Sequence, residues 1–304
     1  MCFLFAVAAY SQQYPDTIFI QEVRITIPEK DDNLGMSQTK IDSFSILQSQ
    51  GLNISDLLSR HSSVYIKNTG RGLLSTASFR GTDASHTKVY WNGMHVNSPM
   101  LGQTDLSLIP VCFLEGISLL HGGSSLRSGS GAFGGAIQLE NKTDWMEKTG
   151  FMISQEVASF HTYQTTGSVN IKISNWLFKT RFQYGQSKND YPFTNNGIKP
   201  VVEDRLRNSE YVRSGLLQEI YFRPGDHNLL AARIWYQQAD RNLPQTMSYE
   251  GVGREENQLD KNLRASLSWN HYRPNSQLEV RSGISHSGLN YFLKSATQEY
   301  THFD

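Results

Sequence analysis

The stretch WLFKTRFQY, residues 176–184, alternates apolar or aromatic side chains with polar or charged ones. Successive residues of a β-strand point to opposite sides, so the pattern predicts a strand with two different faces. One face carries Trp176, Phe178, Phe182 and Tyr184, and the other carries Leu177, Lys179, Arg181 and Gln183. Residues 261–269 and 278–284 repeat the alternation. The apolar and aromatic face of these strands is compatible with lipid, and the polar face is compatible with a water-filled lumen.

The connections between these strands differ in length in a regular way. Short turns are expected at 174–175, 223–226 and 273–276, and long polar loops at about 189–209 and 239–257. Tight turns that alternate with long loops are typical of transmembrane barrels, in which the turns are periplasmic and the loops extracellular. A soluble β-sandwich is the alternative, but its strands are shorter and its aromatic side chains are buried.

Residues 141–304 are long enough for about seven strands, too few to close a barrel around another domain. Barrels with a plugged lumen have about 22 strands. We therefore expect the chain to be the N-terminal third to half of a longer protein. Its last residues, 302–304, follow directly on a predicted strand, in line with that expectation.

The composition disfavours several other classes of protein. Twenty-eight Lys plus Arg balance 28 Asp plus Glu, so there is no net charge to attract nucleic acid. The two cysteines, Cys2 and Cys112, cannot build a disulfide framework or a Cys-rich zinc site. After residue 11 no stretch has the roughly 18 apolar residues that a spanning helix needs. If the protein meets a membrane, it does so through strands.

The first forty residues predict a leader and an extended arm. Residues 1–11, MCFLFAVAAYS, are an apolar run ending in small residues, which is typical of a signal peptide, although the basic residues that normally precede such a run are missing. A short buried strand or helix is the alternative. Residues 12–40 contain prolines and polar residues around one alternating stretch, residues 16–23. This arm is suited to pairing with the edge of a partner's sheet, and a disordered linker is the alternative.

Residues 41–140 predict a compact α+β unit. Asn53 or Ser55 can cap a short helix that contains Leu57 and Leu58. Glycines separate the short strands that follow, which are expected at residues 64–66, 77–79, 88–96 and 117–120.

Five motifs in this unit resemble, in their order and spacing, the plug of the TonB-dependent outer-membrane receptors. They are residues 54–58, 70–72, 78–81, 89–93 and 117–137, the last ending in GSGAFGGAI. Residues 84–103 are similar to plugs of the vitamin B12 (cobalamin) type receptors of the Bacteroidetes group. The resemblance implies an α+β plug (41–140) followed by the first part (141–304) of an antiparallel barrel, in the outer membrane of a Gram-negative cell.

The resemblance also implies roles for individual residues. The short arm that the energy-transducing protein TonB grips, the TonB box, corresponds to Asp16, Thr17, Ile18, Phe19 and Ile20. Ligand contacts are expected on two plug loops, at Arg71, Leu73, Asn97, Ser98, Met100 and Gln103. Structural roles are expected for Arg80, Gly81, Asn92, Gly93, Gly129, Gly131 and Gly134. Arg80 is expected to pair with a carboxylate of the barrel wall, because a charge inside the structure is costly without a partner.

Other chemistries find little support in the residues. Gly129–Gly134 matches the G-x-G-x-x-G pattern of dinucleotide sites, but residues 135–139 alternate like a strand, whereas that pattern needs a helix. Ser78, Asp83 and His86 supply the residue types of a hydrolase triad without a G-x-S-x-G elbow, so we do not expect an enzyme. The plug histidines lack the spacing of a helical metal pair, and no cofactor is expected. Acidic loop residues could bind Ca²⁺, namely Glu203, Asp204, Asp240, Glu250, Glu255 and Glu256.

The expected function is active import of a scarce ligand, with TonB, the ligand and outer-membrane lipid as partners. Cobalamin is the expected ligand, and a ferric siderophore or haem is the alternative, because the loops that would select among them vary freely in this family. A passive porin or adhesin is the alternative from another class. A signal transducer or a glycan importer of the same family usually has an extra N-terminal domain, for which residues 12–40 leave no room.

Overall fold

The structure is a computed structural model that describes residues 37–122, 132–146, 148–245, 255–295 and 298–300. The predicted signal peptide (1–11), the predicted TonB box (16–20), Gly129 and Gly131 lie outside the described residues.

Two short helices begin the plug, and each is capped as the sequence favours. Helix α1 spans Ser43–Gln48, and the Asp42 carboxylate accepts hydrogen bonds from the first free backbone N–H groups. Helix α2 spans Ile54–His61. Its cap is Asn53, whose side-chain oxygen accepts from the Asp56 N–H at 3.0 Å. Of the described helices, none is long and apolar enough to cross a membrane.

The described part of the plug also contains seven strands. Five of them form a sheet in the order β1-β6-β7-β4-β5, while β2 and β3 form a separate hairpin. All neighbours are antiparallel except β4 and β7, which are parallel. Their bounds are β1 Ser37–Lys40, β2 Tyr65–Asn68, β3 Ser75–Ser78, β4 Thr87–Trp91, β5 Met94–His95, β6 Gly116–His121 and β7 Gly135–Glu140.

The remaining strands form an open antiparallel sheet of eight strands, which we call the wall. Seven were expected from the sequence, and the eighth is the short β17. The wall strands are β8 Gly150–Ala158, β9 Thr162–Ile173, β10 Trp176–Ser187, β13 Tyr211–Gly225, β14 Asn228–Leu243, β15 Glu255–Arg273, β16 Ser276–Ser295 and β17 Gln298–Tyr300. Two further strands, β11 Pro192–Asn195 and β12 Val202–Arg205, form a hairpin within the connection from β10 to β13.

The two faces of the wall differ as the alternation predicts. Leu263 and Leu267 of β15 are exposed on the outer face, while Asn262 and Arg264 are buried against the plug side. Strand β10 follows the same rule, since Trp176 and other aromatic residues face outward. The fold is therefore an α+β plug packed on one face of an antiparallel barrel sheet.

The connections define two ends of the wall. Tight turns lie at residues 174–175, 226–227 and 274–275, and we call this the inner end. Long connections lie at residues 188–210 and 244–254, and we call this the outer end. Three strand ends differ from the sequence expectation. Strand β13 continues through Pro224 to Gly225, and β14 and β15 extend into the loop expected at 239–257.

Candidate functional site

Two plug carboxylates meet basic residues of the wall. Glu115, just before β6, faces Lys179 and Arg181 of β10. Its Oε1 lies 2.9 Å from Lys179 Nζ and also pairs with Arg181, while its Oε2 accepts from the Lys142 backbone N–H at 2.6 Å. Lys179 is 1% exposed. The plug thus neutralises two cations that the wall buries.

Asp105 makes the second contact, nearer the outer end. Its Oδ1 accepts from the backbone N–H groups of Ser75 and Ser107, each at 3.0 Å. Its Oδ2 lies 2.7 Å from Arg241 of β14. Arg241 also binds Asp260 of β15 at 3.0 Å. One carboxylate therefore fixes a plug turn with one oxygen and the wall with the other.

A buried charge network continues from Glu115 into the wall. Arg181 Nη1 lies 2.6 Å from Oε2 of Glu219, a side chain with no exposure. Glu219 also accepts a hydrogen bond of 2.6 Å from the Tyr221 hydroxyl, and Arg233 lies 3.8 Å from the same carboxylate. Because each charge has a partner, the wall tolerates several ionised groups under the plug.

An aromatic residue of the wall joins the hydrophobic core of the plug. Trp235 of β14 is fully buried. Its ring lies edge-on to Trp91 at 5.2 Å and to Phe113 at 5.9 Å. Leu217 of β13 belongs to the same cluster. This is the main apolar contact between plug and wall, and such edge-to-face aromatic pairs are worth about 0.5–1.5 kcal/mol beyond burial.

A cavity of about 540 Å³ separates the plug from the wall toward the outer end. Its plug side includes the loop that holds Ser98, Met100 and Gln103. Its wall side includes Arg241 near the end of β14 and Gln258 near the start of β15, the two strands joined by a long connection. Three residues of the second predicted ligand loop therefore line one cavity.

Asn97, predicted as a ligand contact, has a structural role instead. Its side chain is 5% exposed. The amide oxygen accepts from the Val89 N–H at 2.8 Å, and the amide nitrogen donates to the carbonyls of Thr87 and Gly102. Asn97 thus holds the loop onto β4, while Met100, 81% exposed, stands at its tip.

The first predicted ligand loop also lies at the outer end. Arg71 is exposed and lies 3.8 Å from Glu156 near the end of β8, and its carbonyl accepts from Asn189. Leu73 is buried, so it packs the loop and does not offer a surface to a ligand. Of the six predicted ligand residues, Arg71, Ser98, Met100 and Gln103 keep accessible side chains.

Arg80 does not make the wall contact expected from the sequence. It is exposed, its φ is 50°, and no wall carboxylate of the described residues lies at ion-pair distance from it. Its guanidinium lies beside Gly122, and Gly81 follows it at φ 75°. At the buried contacts of Glu115 and Asp105 the charges are arranged in the opposite sense, since the wall supplies the cations and the plug supplies the carboxylates.

Asn92 and Gly93 form the predicted tight turn, between β4 and β5. Both have positive φ, 47° and 81°, which is the geometry of a two-residue hairpin turn. Asn92 exchanges two hydrogen bonds with Asn141, at 2.8 and 2.9 Å, where the chain leaves the plug. The turn borders a polar cavity of about 900 Å³ toward the inner end, beside Arg281 of β16.

Gly134 packs within the plug and not against the wall. A Cβ at this position would collide with Thr82 Oγ1 and lie 3.3 Å from the His86 carbonyl. Strand β7 follows at once, so the helix that a dinucleotide motif needs is replaced by a strand.

The acidic loop residues are dispersed. Glu203 and Asp204 lie in the β11–β12 hairpin, and Glu255 and Glu256 open β15. Asp240 accepts a hydrogen bond from Asn257, and Glu250 lies outside the described residues. Among the described residues, no group of three or more His, Cys, Asp or Glu is placed to hold a metal ion.

Cys112 is buried at the contact between plug and wall. Its Sγ lies 4.0 Å from Gln183 Oε1 of β10. Burial raises the pKa of its thiol from 9.0 to about 12, outweighing the opposite effect of Arg181. The thiol is therefore protonated and unreactive at neutral pH.

Comparison with known proteins agrees with this geometry. Residues 30–136 match the model of the TonB-dependent receptor plug domain. Residues 30–136 are therefore a plug domain of the TonB-dependent receptor type. It is 25% identical over 285 residues to the vitamin B12 transporter BtuB of Photobacterium profundum, an alignment covering 92% of this chain and 44% of the relative. The chain thus spans less than half the length of this relative.

Solved receptors share the fold. The siderophore receptor PiuA of Acinetobacter baumannii superposes with a TM-score of 0.62 at 16% identity, over 85% of this chain and 37% of that one. The ferripyoverdine receptor of Pseudomonas aeruginosa gives a TM-score of 0.66 at 15% identity, over 88% and 36%. The wall thus shares the fold of the matching part of the β-barrel in these receptors.

Sequence reasoning missed the residues that dock the plug. Lys179 and Arg181 were recognised as the polar face of a strand, but their partner Glu115 was not singled out. The available signal was two cations on one lumen-facing strand, which need buried carboxylates once a plug covers them. Asp105 and Trp235 were missed in the same way.

Proposed function

We propose that the complete protein actively imports a scarce ligand across the outer membrane, with the plug as its gate. The observation that supports this most directly is the seal between plug and wall: Glu115 and Asp105 bind wall cations, and Trp235 inserts between Trp91 and Phe113. Wall side chains alone do not fill the lumen of a barrel of about 22 strands, so the plug controls passage.

Energy would enter through the N-terminal arm. We propose that residues 1–11 are a signal peptide removed on export and that residues 12–40 hold the TonB box at 16–20. Pairing of this arm with TonB would pull on β1, which lies at an edge of the plug sheet as described and pairs with β6 there. Hydrogen bonds at an edge break one pair at a time when the strand end is pulled, so β1 is the element expected to yield first.

Cobalamin is the ligand we propose. Support comes from the plug loop at 97–103, similar to cobalamin-type plugs, and from the transporter relative. The cavity beside this loop includes the apolar plug residues Val96, Met100 and Ile109, and its wall side is mostly polar. Such a surface suits a large molecule with both apolar and polar edges.

Calorimetric titration of the complete gene product in detergent tests the ligand. Cyanocobalamin, a ferric siderophore and haem are titrated in parallel into the wild type and into Met100→Ala. Cobalamin binding that weakens in the Met100→Ala variant would support the proposal. Tight binding of the iron chelate with no heat from cobalamin would identify a siderophore as the ligand. The proposed import function would be unaffected.

A ferric siderophore is the second candidate ligand, because solved siderophore receptors share the fold of both plug and wall. The likeness concerns the fold, since the two receptors described above are 16% and 15% identical to this chain.

A further inference from the structure

Arg264 of β15 is a buried cation that no described residue neutralises. Its side chain is 6% exposed and stacks over the Trp235 ring at 4.6 Å. Its Nε and Nη1 are buried without a hydrogen-bond partner among the described residues. No carboxylate in the described part of the chain lies at ion-pair distance from it, whereas the neighbouring Arg241 has both Asp105 and Asp260.

Unpartnered donors cluster around this guanidinium. Trp235 is the direct cross-strand partner of Arg264, and its indole Nε1 is also buried without an acceptor in the described structure. Ser266, two residues along the same face of β15, has an unpartnered hydroxyl. Three neighbouring side chains thus offer N–H or O–H groups with no acceptor, which is costly unless a ligand supplies one.

Arg264 borders the outer-end cavity. Gln258 also lines the cavity. It lies six residues closer than Arg264 to the outer end of β15, which corresponds to roughly 20 Å along the strand. A molecule that enters at the outer end and moves along the plug therefore meets an unpaired guanidinium at depth. Guanidinium binds carboxylate and phosphate oxygens through paired N–H groups.

We propose that Arg264 is an anion-binding residue of the transport path, which takes a carboxylate or phosphate group of the ligand after it has passed the outer plug loop. This inference rests on the proposed import function, because import brings the ligand to the cavity. It narrows the substrate class to molecules that carry such an anionic group beside an apolar body.

Fluorescence titration of the complete protein in detergent tests the proposal with defined anions. Citrate and inorganic phosphate are titrated separately at constant ionic strength, and Trp235→Phe identifies the part of the signal that arises next to Arg264. Arg264→Gln removes the charge, Arg264→Lys keeps it without the fork, and Lys261→Gln removes an outward-facing charge from the same strand.

The wild type and Lys261→Gln should show a saturable change with at least one of the two anions, absent from Trp235→Phe. Arg264→Gln should bind at least about tenfold more weakly, as expected for a lost charged hydrogen bond. An unchanged response in Arg264→Gln would overturn the proposal. The proposal would also be overturned if the wild type responded to neither anion. This outcome does not depend on whether any variant folds. The titration does not depend on cobalamin uptake, so its failure and that of the proposed import are separate results.

Discussion

The Nζ of Lys179 on the wall lies 2.9 Å from the carboxylate of Glu115 on the plug, in a pair whose lysine side chain is 1% exposed. Removing one partner of such a pair leaves a buried charge uncompensated, which typically costs about 3–5 kcal/mol. Replacing the pair with apolar groups is often neutral, so the contact favours correct docking more than overall stability.

Glu115→Gln should loosen the plug, because Lys179 and Arg181 then lose the plug carboxylate that they share. We expect a loss of about 3–5 kcal/mol in the free energy that holds the plug to the wall. Limited proteolysis of the complete protein should cut the variant plug faster. Glu203→Gln, in the exposed β11–β12 hairpin, is the matched control and should change stability by no more than about 0.5 kcal/mol. Equal cleavage rates in the two variants would rule out this role for Glu115.

Trp235→Ala should destabilise the plug–wall contact by about 3–5 kcal/mol, because it opens a cavity between Trp91 and Phe113. Trp269→Ala, on the outward face of β15 and 41% exposed, removes the same volume without a core cavity. Thermal unfolding of the complete protein in detergent compares the two. A larger effect at Trp269 would contradict the assignment of Trp235 to the plug core.

Gly93→Ala should destabilise the hairpin by about 1–2 kcal/mol, the usual cost of a left-handed backbone for a residue with a side chain. Its φ is 81°, and an added Cβ would also collide with the Arg281 guanidinium. Gly225→Ala is the control, since nothing lies within 4 Å of a Cβ there. Chemical denaturation of both variants checks the difference, and similar midpoints would count against a strained turn at Gly93.

The buried thiol of Cys112 predicts that the stability of the folded protein falls at high pH. Because burial raises its pKa from 9.0 to about 12, the folded protein holds the thiol proton more tightly than the unfolded chain. The resulting stabilisation is complete below about pH 9 and is lost as the pH rises toward 12. At about pH 10.5 the loss should reach roughly 2 kcal/mol.

Thermal unfolding of the wild type and Cys112→Ala is measured at pH 8 and pH 10.5. Lysines and tyrosines titrate in both proteins, so the difference between the two pH effects isolates the contribution of the thiol. The wild type should lose more stability than the variant. Parallel losses would mean that the thiol is not buried in the folded protein.

Much of the fold could be predicted from local patterns. The alternation at 176–184 predicts the two faces of β10, and Asn92–Gly93 predicts a hairpin turn because both residues tolerate positive φ. These signals are local, since a strand face and a turn depend on residues close in sequence. Strand ends were less predictable, because β13 continues through Pro224, where the sequence indicated a turn.

The docking residues could not be assigned in this way. Glu115 and Lys179 are 64 residues apart, and only the packing of plug on wall brings them together. Trp235 breaks the rule that lumen-facing residues are polar, because the plug core covers it. A wall carboxylate was the expected partner of Arg80, because a buried charge needs one. The chain turns at this residue, however, and its side chain is exposed and needs no such partner.

The most direct test of the account is energised uptake of labelled cyanocobalamin by cells that carry the complete protein as their only receptor, with and without residues 16–23. We predict uptake by the wild type that requires the proton gradient, and loss of uptake with retained cobalamin binding in the deletion. Uptake that is unchanged by the deletion would contradict energy-coupled import and identify a passive channel.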